Sequence, residues 1–352
     1  MLLRDPLFLP KETVDGRPTP GGEERRGGRG SHVDPPSWTV YVSLWAVLAS
    51  GAGACSSEPG EPEMRSGSDG DLLLSEVLSV ELPEGFHPSR FTVGDEGIGF
   101  LSETMASVVW IDEAGHTRRV ELSGNNWPVG IRPGTRRGVL FEVLDAGRGA
   151  VFRYSGTGKI DEVPLDGLSL LPVHGAPAPN GWFVAGVEAS DVVIASYSDG
   201  RSRTLFRARL PDGVEVQHTY LTSVGDEAIL TLSRDPYWVV VVGESGVRSF
   251  RKASTGGVSF PEFGEIDRGN AFPAVWLGNR LIQIVADLER DEHWLMSYDS
   301  DGVLLESKKL PGPLILVGST PRRDRVIGLR NLTGRAEAVV YRVERHEIGG
   351  DR

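Results

Sequence analysis

The chain is 352 residues long, carries a formal net charge of −12 and contains a single cysteine. The acidic balance excludes a dedicated nucleic-acid binder, because neutralising phosphates takes clustered Lys and Arg, and one thiol excludes an internal disulfide. Glycine is 45 of the residues, nearly twice the usual share of about 7%, and it punctuates short apolar runs as a turn residue.

Residues 1–54 read as a leader. Its first 36 residues are Gly-, Pro- and Arg-rich without a core-forming pattern, and a dozen mostly apolar residues follow from Trp38 to Ala49. That run is too short to span a bilayer as a helix, which takes about 20 residues, and it suits the apolar centre of a secretory signal. Ala52-Gly53-Ala54 then fits the small-x-small cleavage rule, and the one cysteine, Cys55, stands directly behind it. This arrangement resembles the lipobox of bacterial lipoproteins, which implies that Cys55 is lipidated and becomes the mature N-terminus. Ala52 departs from that family's pattern, in which Leu is usual, and the leader is long enough to suggest a start codon assigned too early. An ordinary cleaved signal and an unprocessed apolar arm are the alternatives. Residues 55–71 are polar and read as a lipid-anchored tether whose mean reach is on the order of 20 Å. The expected location is outside the cytoplasm, on the periplasmic or extracellular side of a membrane.

From residue 72 onward, long windows of helical period are scarce. Short runs rich in β-branched and aromatic residues, bounded by Gly, Asp, Ser and Pro, indicate an all-β protein. One pattern returns six times: an apolar run, a Gly-containing turn and a second extended run. The apolar runs are Val108-Val109-Trp110-Ile111, Val151-Phe152-Arg153-Tyr154, Val192-Val193-Ile194-Ala195, Val239-Val240-Val241-Val242, Trp294-Leu295-Met296-Ser297-Tyr298 and Ala338-Val339-Val340-Tyr341. Turns such as Ala114-Gly115, Thr157-Gly158, Asp199-Gly200, Ser245-Gly246 and Asp301-Gly302 are hairpin chemistry. Prolines 88, 128, 172, 273 and 313 mark the start of successive units, and Val93-Gly94-Asp95-Glu96 returning as Val224-Gly225-Asp226-Glu227 places one more unit in the widest interval.

Each unit reads as four strands. In the first they are residues 90–93, 98–102, 107–111 and 118–122, which is the arithmetic of a propeller blade. The last unit lacks a strand of its own, and the orphan run Val77-Leu78-Ser79-Val80-Glu81-Leu82 ahead of the first is matched to the fourth strands. The expectation is a six-bladed β-propeller of four-stranded blades over residues 72–345, with the N-terminal strand completing the last blade and a tail at 346–352. These repeats resemble the six-bladed propellers of the NHL and TolB-like type found in secreted bacterial lipoproteins; the WD and Gly-His signatures of WD40 repeats are absent.

Candidate functional residues follow from the repeat alignment. Residues immediately ahead of the first strands form a rim: His87, Trp127, Leu171, His218 and Phe272, with Gly312 in the remaining position. A mixed aromatic and imidazole rim around a channel suits a ligand mouth. A second candidate is a charged face at Asp287, Glu289, Asp291, Glu292 and His293, read as the loop between the second and third strands of the fifth unit. No spacing of His and carboxylates indicates a metal, no motif indicates a cofactor, and no set of residues is assigned as catalytic. The pairs Arg118-Arg119, Arg136-Arg137 and Arg322-Arg323 read as solvated surface. The expected function is a module that binds a protein or small molecule, or serves as a scaffold, at the cell envelope. The alternative is a propeller hydrolase of lactonase or glycan-active type, with its site at the channel mouth.

Overall fold

The structure is a computed structural model that describes residues 72–94, 96–125, 127–210, 219–232, 238–243, 246–251, 258–260, 264–266, 269–287, 292–300, 302, 304–331 and 335–345. Among the described residues there is no helix, and small antiparallel sheets account for the fold.

Strand β1 (Leu72–Glu81) is followed by a four-stranded sheet of β2 (Arg90–Gly94), β3 (Gly97–Ser102), β4 (Ser107–Asp112) and β5 (Thr117–Glu121). Next come β6 (Pro128–Pro133), β7 (Phe141–Asp145), β8 (Ala150–Ser155) and β9 (Gly158–Pro164), then β10 (Leu171–Ala178), β11 (Gly181–Glu188), β12 (Asp191–Ser198) and β13 (Arg201–Arg209). These eight strands are hydrogen-bonded as one sheet, but its two antiparallel halves meet only at the parallel pair Gly130–Gly175 of β6 and β10. Strands β14 (Thr219–Val224), β15 (Glu227–Leu232), β16 (Trp238–Gly243) and β17 (Gly246–Arg251) form another sheet. A short hairpin of β18 (Val258–Phe260) and β19 (Gly264–Ile266) precedes β20 (Gly269–Ala271), β21 (Val275–Leu277), β22 (Arg280–Asp287), β23 (Glu292–Tyr298) and β24 (Leu304–Lys309). Strands β20 and β21 both pair with β22. Finally β25 (Leu314–Ser319), β26 (Arg325–Arg330) and β27 (Glu337–Arg345) make a sheet whose fourth strand is β1.

The apolar runs that return along the sequence all fall on third strands: β4, β8, β12, β16, β23 and β27. They carry side chains to both faces of a sheet with another sheet on either side, so they are continuously apolar where a half-exposed strand would alternate. Val108, Val109, Phe152, Val193, Ile194, Val241, Met296 and Val339 are all inaccessible or nearly so. The core is accordingly divided into clusters between neighbouring sheets. Trp110 of β4, for example, stacks at 6.2 Å on Phe141 of β7, which stacks at 5.2 Å on Tyr154 of β8.

The first strands touch one another in the order β2, β6, β10, β14, β21, β25, and β25 returns to β2. This gives a propeller-like arrangement. Gly130 makes the approach of β6 to β10 possible: a Cβ there would lie 2.6–2.8 Å from the backbone of Gly175. The hairpin turns use left-handed glycines, among them Gly115 (φ 84°) and Gly200 (φ 74°), where any Cβ would be strained.

Strand β1 pairs antiparallel with β27 from Leu72–Arg345 to Glu81–Glu337, with a bulge at Val77, as the orphan run implies. Side chains reinforce the seam. Arg330 on β26 donates to both Glu76 (2.7 Å) and Glu337, Ser79 donates to Glu337, and Arg335 donates to Glu81 (2.7 Å). Bonds from Arg330 and then Ser79 outweigh burial and hold the Glu337 carboxyl below its ordinary range.

Two features depart from the sequence reading. The segment ahead of Phe272 contains the β18–β19 hairpin and strand β20, which the reading of four strands per unit does not include; the alternation Val258-Ser259-Phe260 has the strand period within it. The segment around Asp287 and Glu292 is less of a loop than expected, because Asp287 ends β22, Glu292 begins β23, and the two face each other across the ladder.

Candidate binding rim and the ion clusters beneath the turns

The starts of β2, β6 and β10 lie together. Arg90, the first residue of β2, demonstrates this: its guanidinium donates to Ser89 O (2.7 Å), Val129 O of β6 (3.1 Å) and Val173 O of β10 (3.4 Å), and pairs with Glu103 at 3.5 Å. A planar cation with a fixed fork of donors is suited to holding carbonyls from several strands in one geometry. Arg90 therefore fixes the mutual position of three first strands, a role invisible in sequence because its partners lie 39 and 83 residues away.

Around this anchor, His87 is exposed, Trp127 is half-buried and Leu171 is 56% exposed. The rim is braced from below. The buried Asp145 carboxylate accepts the Trp127 backbone N–H at 3.1 and 3.2 Å and the Arg148 N–H at 2.9 Å. Leu171 is itself the first residue of β10, where it pairs with Val187 of β11.

Phe272 differs. It is buried, stacks on the His293 ring at 6.4 Å with 7° between planes, and receives the Gln283 side-chain N–H on its carbonyl at 2.6 Å. The expected charged face thus divides by burial: Asp287 and His293 are 5% and 4% exposed, whereas Glu292 is half-buried and paired with Lys309 at 2.5 Å. The structure brings Phe272, Asp287, Glu292 and His293 together in one sheet. His218, Glu289, Asp291 and Cys55 lie outside the described residues. Among the described residues, no group of three or more His, Cys, Asp or Glu side chains is placed to hold a metal ion.

At the other end of the strands, two ion clusters escaped the sequence reading. Arg132, Glu142, Arg153 and Asp161 stand opposite one another across β6, β7, β8 and β9. Glu142 is inaccessible and accepts from Arg132 Nε (2.7 Å) and Arg153 Nε (3.1 Å); Arg153 also reaches Asp161 at 3.1 Å. Burial opposes the charge on Arg153, but its bonds to Glu142 and Asp161 prevail and hold it above its ordinary value. Arg132 lies 5.0 Å over the Trp182 ring and donates to Gly181 O. The second cluster joins Arg248 of β17, Glu227 of β15, Arg323 in the β25–β26 turn and Trp276 of β21. Arg323 was read as solvated surface. It lies 5.2 Å over the Trp276 ring, and its carbonyl accepts the Gly278 N–H at 2.6 Å.

These features define an all-β protein of propeller-like arrangement, with His87 and Leu171 exposed at the starts of two of its first strands. No family model matches the chain, and no curated protein matches it. Among solved structures it is similar to virginiamycin B lyase from Staphylococcus aureus (14% identity, TM-score 0.42, covering 79% of this chain and 90% of that one). It is also similar to regucalcin, a calcium-binding protein from Agrobacterium tumefaciens (11%, 0.48, 77% and 93%), and to BamB from Moraxella catarrhalis (12%, 0.35, 77% and 100%). The likenesses are distant, and the propeller-like arrangement is carried by the strand pairing itself.

Proposed function

We propose that the protein is an exported, lipid-anchored six-bladed β-propeller that acts as a binding or scaffold module at the bacterial cell envelope. The sheets β2–β5, β6–β9, β10–β13, β14–β17, β21–β24 and β25–β27 with β1 are its blades. Cys55 carries the lipid, residues 55–71 form the tether, and the occupant of the rim is a protein or small molecule. One observation supports the binding reading above others: Leu171 on β10 is 56% exposed and His87 ahead of β2 is exposed, on a frame fixed by Arg90 and Asp145. An exposed apolar residue held on rigid strand ends is the form of a binding anchor. The alternative is a propeller hydrolase of lactonase or glycan-active type with its site at the same channel mouth, where His87 is exposed.

Two experiments test this. Mass spectrometry of the mature N-terminus should find diacylglyceryl on Cys55; an unmodified Cys55 removes the anchor. A photo-cross-linking amino acid at position 171, in envelope preparations, should give a discrete adduct that the rim substitutions Trp127→Ala and His87→Ala suppress. Identical labelling from a probe at Thr157, in a turn at the other end of the strands, would remove the rim as the binding surface.

A further inference from the structure

The two ion clusters are built alike and completed differently. In each, one glutamate lies between two arginines, and one guanidinium of the pair, or both, lies over a buried tryptophan. The first cluster is closed: Arg132 and Arg153 side chains are 10% and 11% exposed, and a second carboxylate, Asp161, balances the second arginine. Two cations meet two anions.

The second cluster is more open. Arg248 and Arg323 come from different sheets and converge on Trp276 at 5.3 and 5.2 Å. Each takes one oxygen of Glu227. Among the described residues no other carboxylate pairs with either guanidinium. Their side chains are 32% and 28% exposed, against 12% for Glu227. Beyond its bonds to Glu227, Arg248 has only a 3.4 Å contact to Ser300 O. Two guanidinia carry ten N–H donors between them, and among the described residues Glu227 and Ser300 O engage three of them.

We infer that Arg248, Arg323 and Trp276 form a binding site for a carboxylate, which adds a second anion to the two guanidinia as Asp161 does in the closed cluster. The pairing would be charge-assisted, and bidentate on the exposed guanidinium edges, a geometry that distinguishes a planar carboxylate from a spherical anion. The indole restricts both arginines, so less side-chain entropy is lost on binding. Glu227, Ser300 and Arg323 put the site at the opposite end of the strands from the rim, and it stands whether or not the rim binds anything. The same chemistry can come from a free carboxylic acid or from an acidic side chain or C-terminus of a polypeptide.

The test uses the full-length protein, with the indole N–H signal of Trp276 assigned through Trp276→Phe. It is titrated at constant ionic strength with succinate, with a Glu-rich peptide, with the Gln analogue of that peptide and with chloride. A saturable shift with succinate indicates a free acid; one with the Glu peptide alone indicates a polypeptide; either supports the site. Arg248→Gln and Arg323→Gln should each weaken binding about tenfold, and Glu227→Gln should strengthen it by removing the internal competitor. No shift with either carboxylate up to millimolar concentrations, an equal shift with chloride or the Gln peptide, or unchanged binding in both folded arginine variants would overturn the inference. Should the variants not fold, the wild-type comparison of carboxylate with chloride decides alone.

Discussion

Replacing Glu142 by alanine should cost more stability than any substitution at an exposed ion pair in this protein. The carboxylate is inaccessible and sits between Arg132 and Arg153, whose side chains are 10% and 11% exposed. Its removal leaves two nearly buried guanidinia facing each other. Breaking a buried pair by deleting one partner costs about 3–5 kcal/mol, because the remaining charge stays desolvated. Arg153 keeps Asp161, and Arg132 keeps the Gly181 carbonyl and the Trp182 face, so the low end, about 3 kcal/mol, is expected. At roughly 2–4 °C per kcal/mol for a domain of this order of size, the melting temperature should fall by about 6–12 °C. Urea unfolding followed by fluorescence gives the same quantity from the midpoint. Asp161→Asn is the control: its side chain is 44% exposed, and exposed pairs contribute about 0–1 kcal/mol. A Glu142→Ala loss below about 1 kcal/mol, or one equal to that of Asp161→Asn, would refute the account of this cluster as a closed, mutually dependent set.

Gly130→Ala should destabilise by about 1–3 kcal/mol, because its Cβ would meet the Gly175 backbone at 2.6–2.8 Å and backbone cannot swing aside; a melt matching wild type would contradict the close approach of β6 to β10. The seam of β1 should be acid-sensitive. The Glu337 carboxyl is held below its ordinary value by Arg330 and Ser79, so its contribution is present above the unfolded carboxylate pKa near about 4.3 and is lost as pH falls through the lower folded value. Glu337→Gln should therefore lower stability at pH 7 by less than about 1 kcal/mol and converge with wild type once the carboxyl is protonated in acid; parallel stability–pH curves would contradict this.

What was legible in the sequence is what local physics determines. Strands bounded by Gly-containing turns fell within a residue or two of expectation: residues 98–102 and 107–111 became Gly97–Ser102 and Ser107–Asp112. The run at Val77 found its partner because its composition matched the fourth strands. The proline landmarks held less uniformly, since Pro88 precedes β2 while Pro172 lies inside β10. What stayed hidden depends on distant pairing. Arg132, Glu142 and Arg153 read singly as polar residues on strands, and only the register of β6 to β9 makes them a ladder. Arg323 looked like half of a surface Arg-Arg pair until the fold set it on Trp276. Burial of Asp287 and His293 could not be seen in a run of charges, because the ladder that pairs β22 with β23 takes their end of it out of solvent.

The most direct test of the account is hydrogen exchange along β1. Strand β1 is the fourth strand of the sheet formed with β25, β26 and β27, so residues 72–81 must be part of the folded sheet. The amides of β1 that bond to β27 should exchange as slowly as those of β27 itself, and both should quicken together in Arg330→Ala, which removes the bonds to Glu76 and Glu337. Exchange of residues 72–81 at free-peptide rates, with β27 still protected, would contradict the closed arrangement.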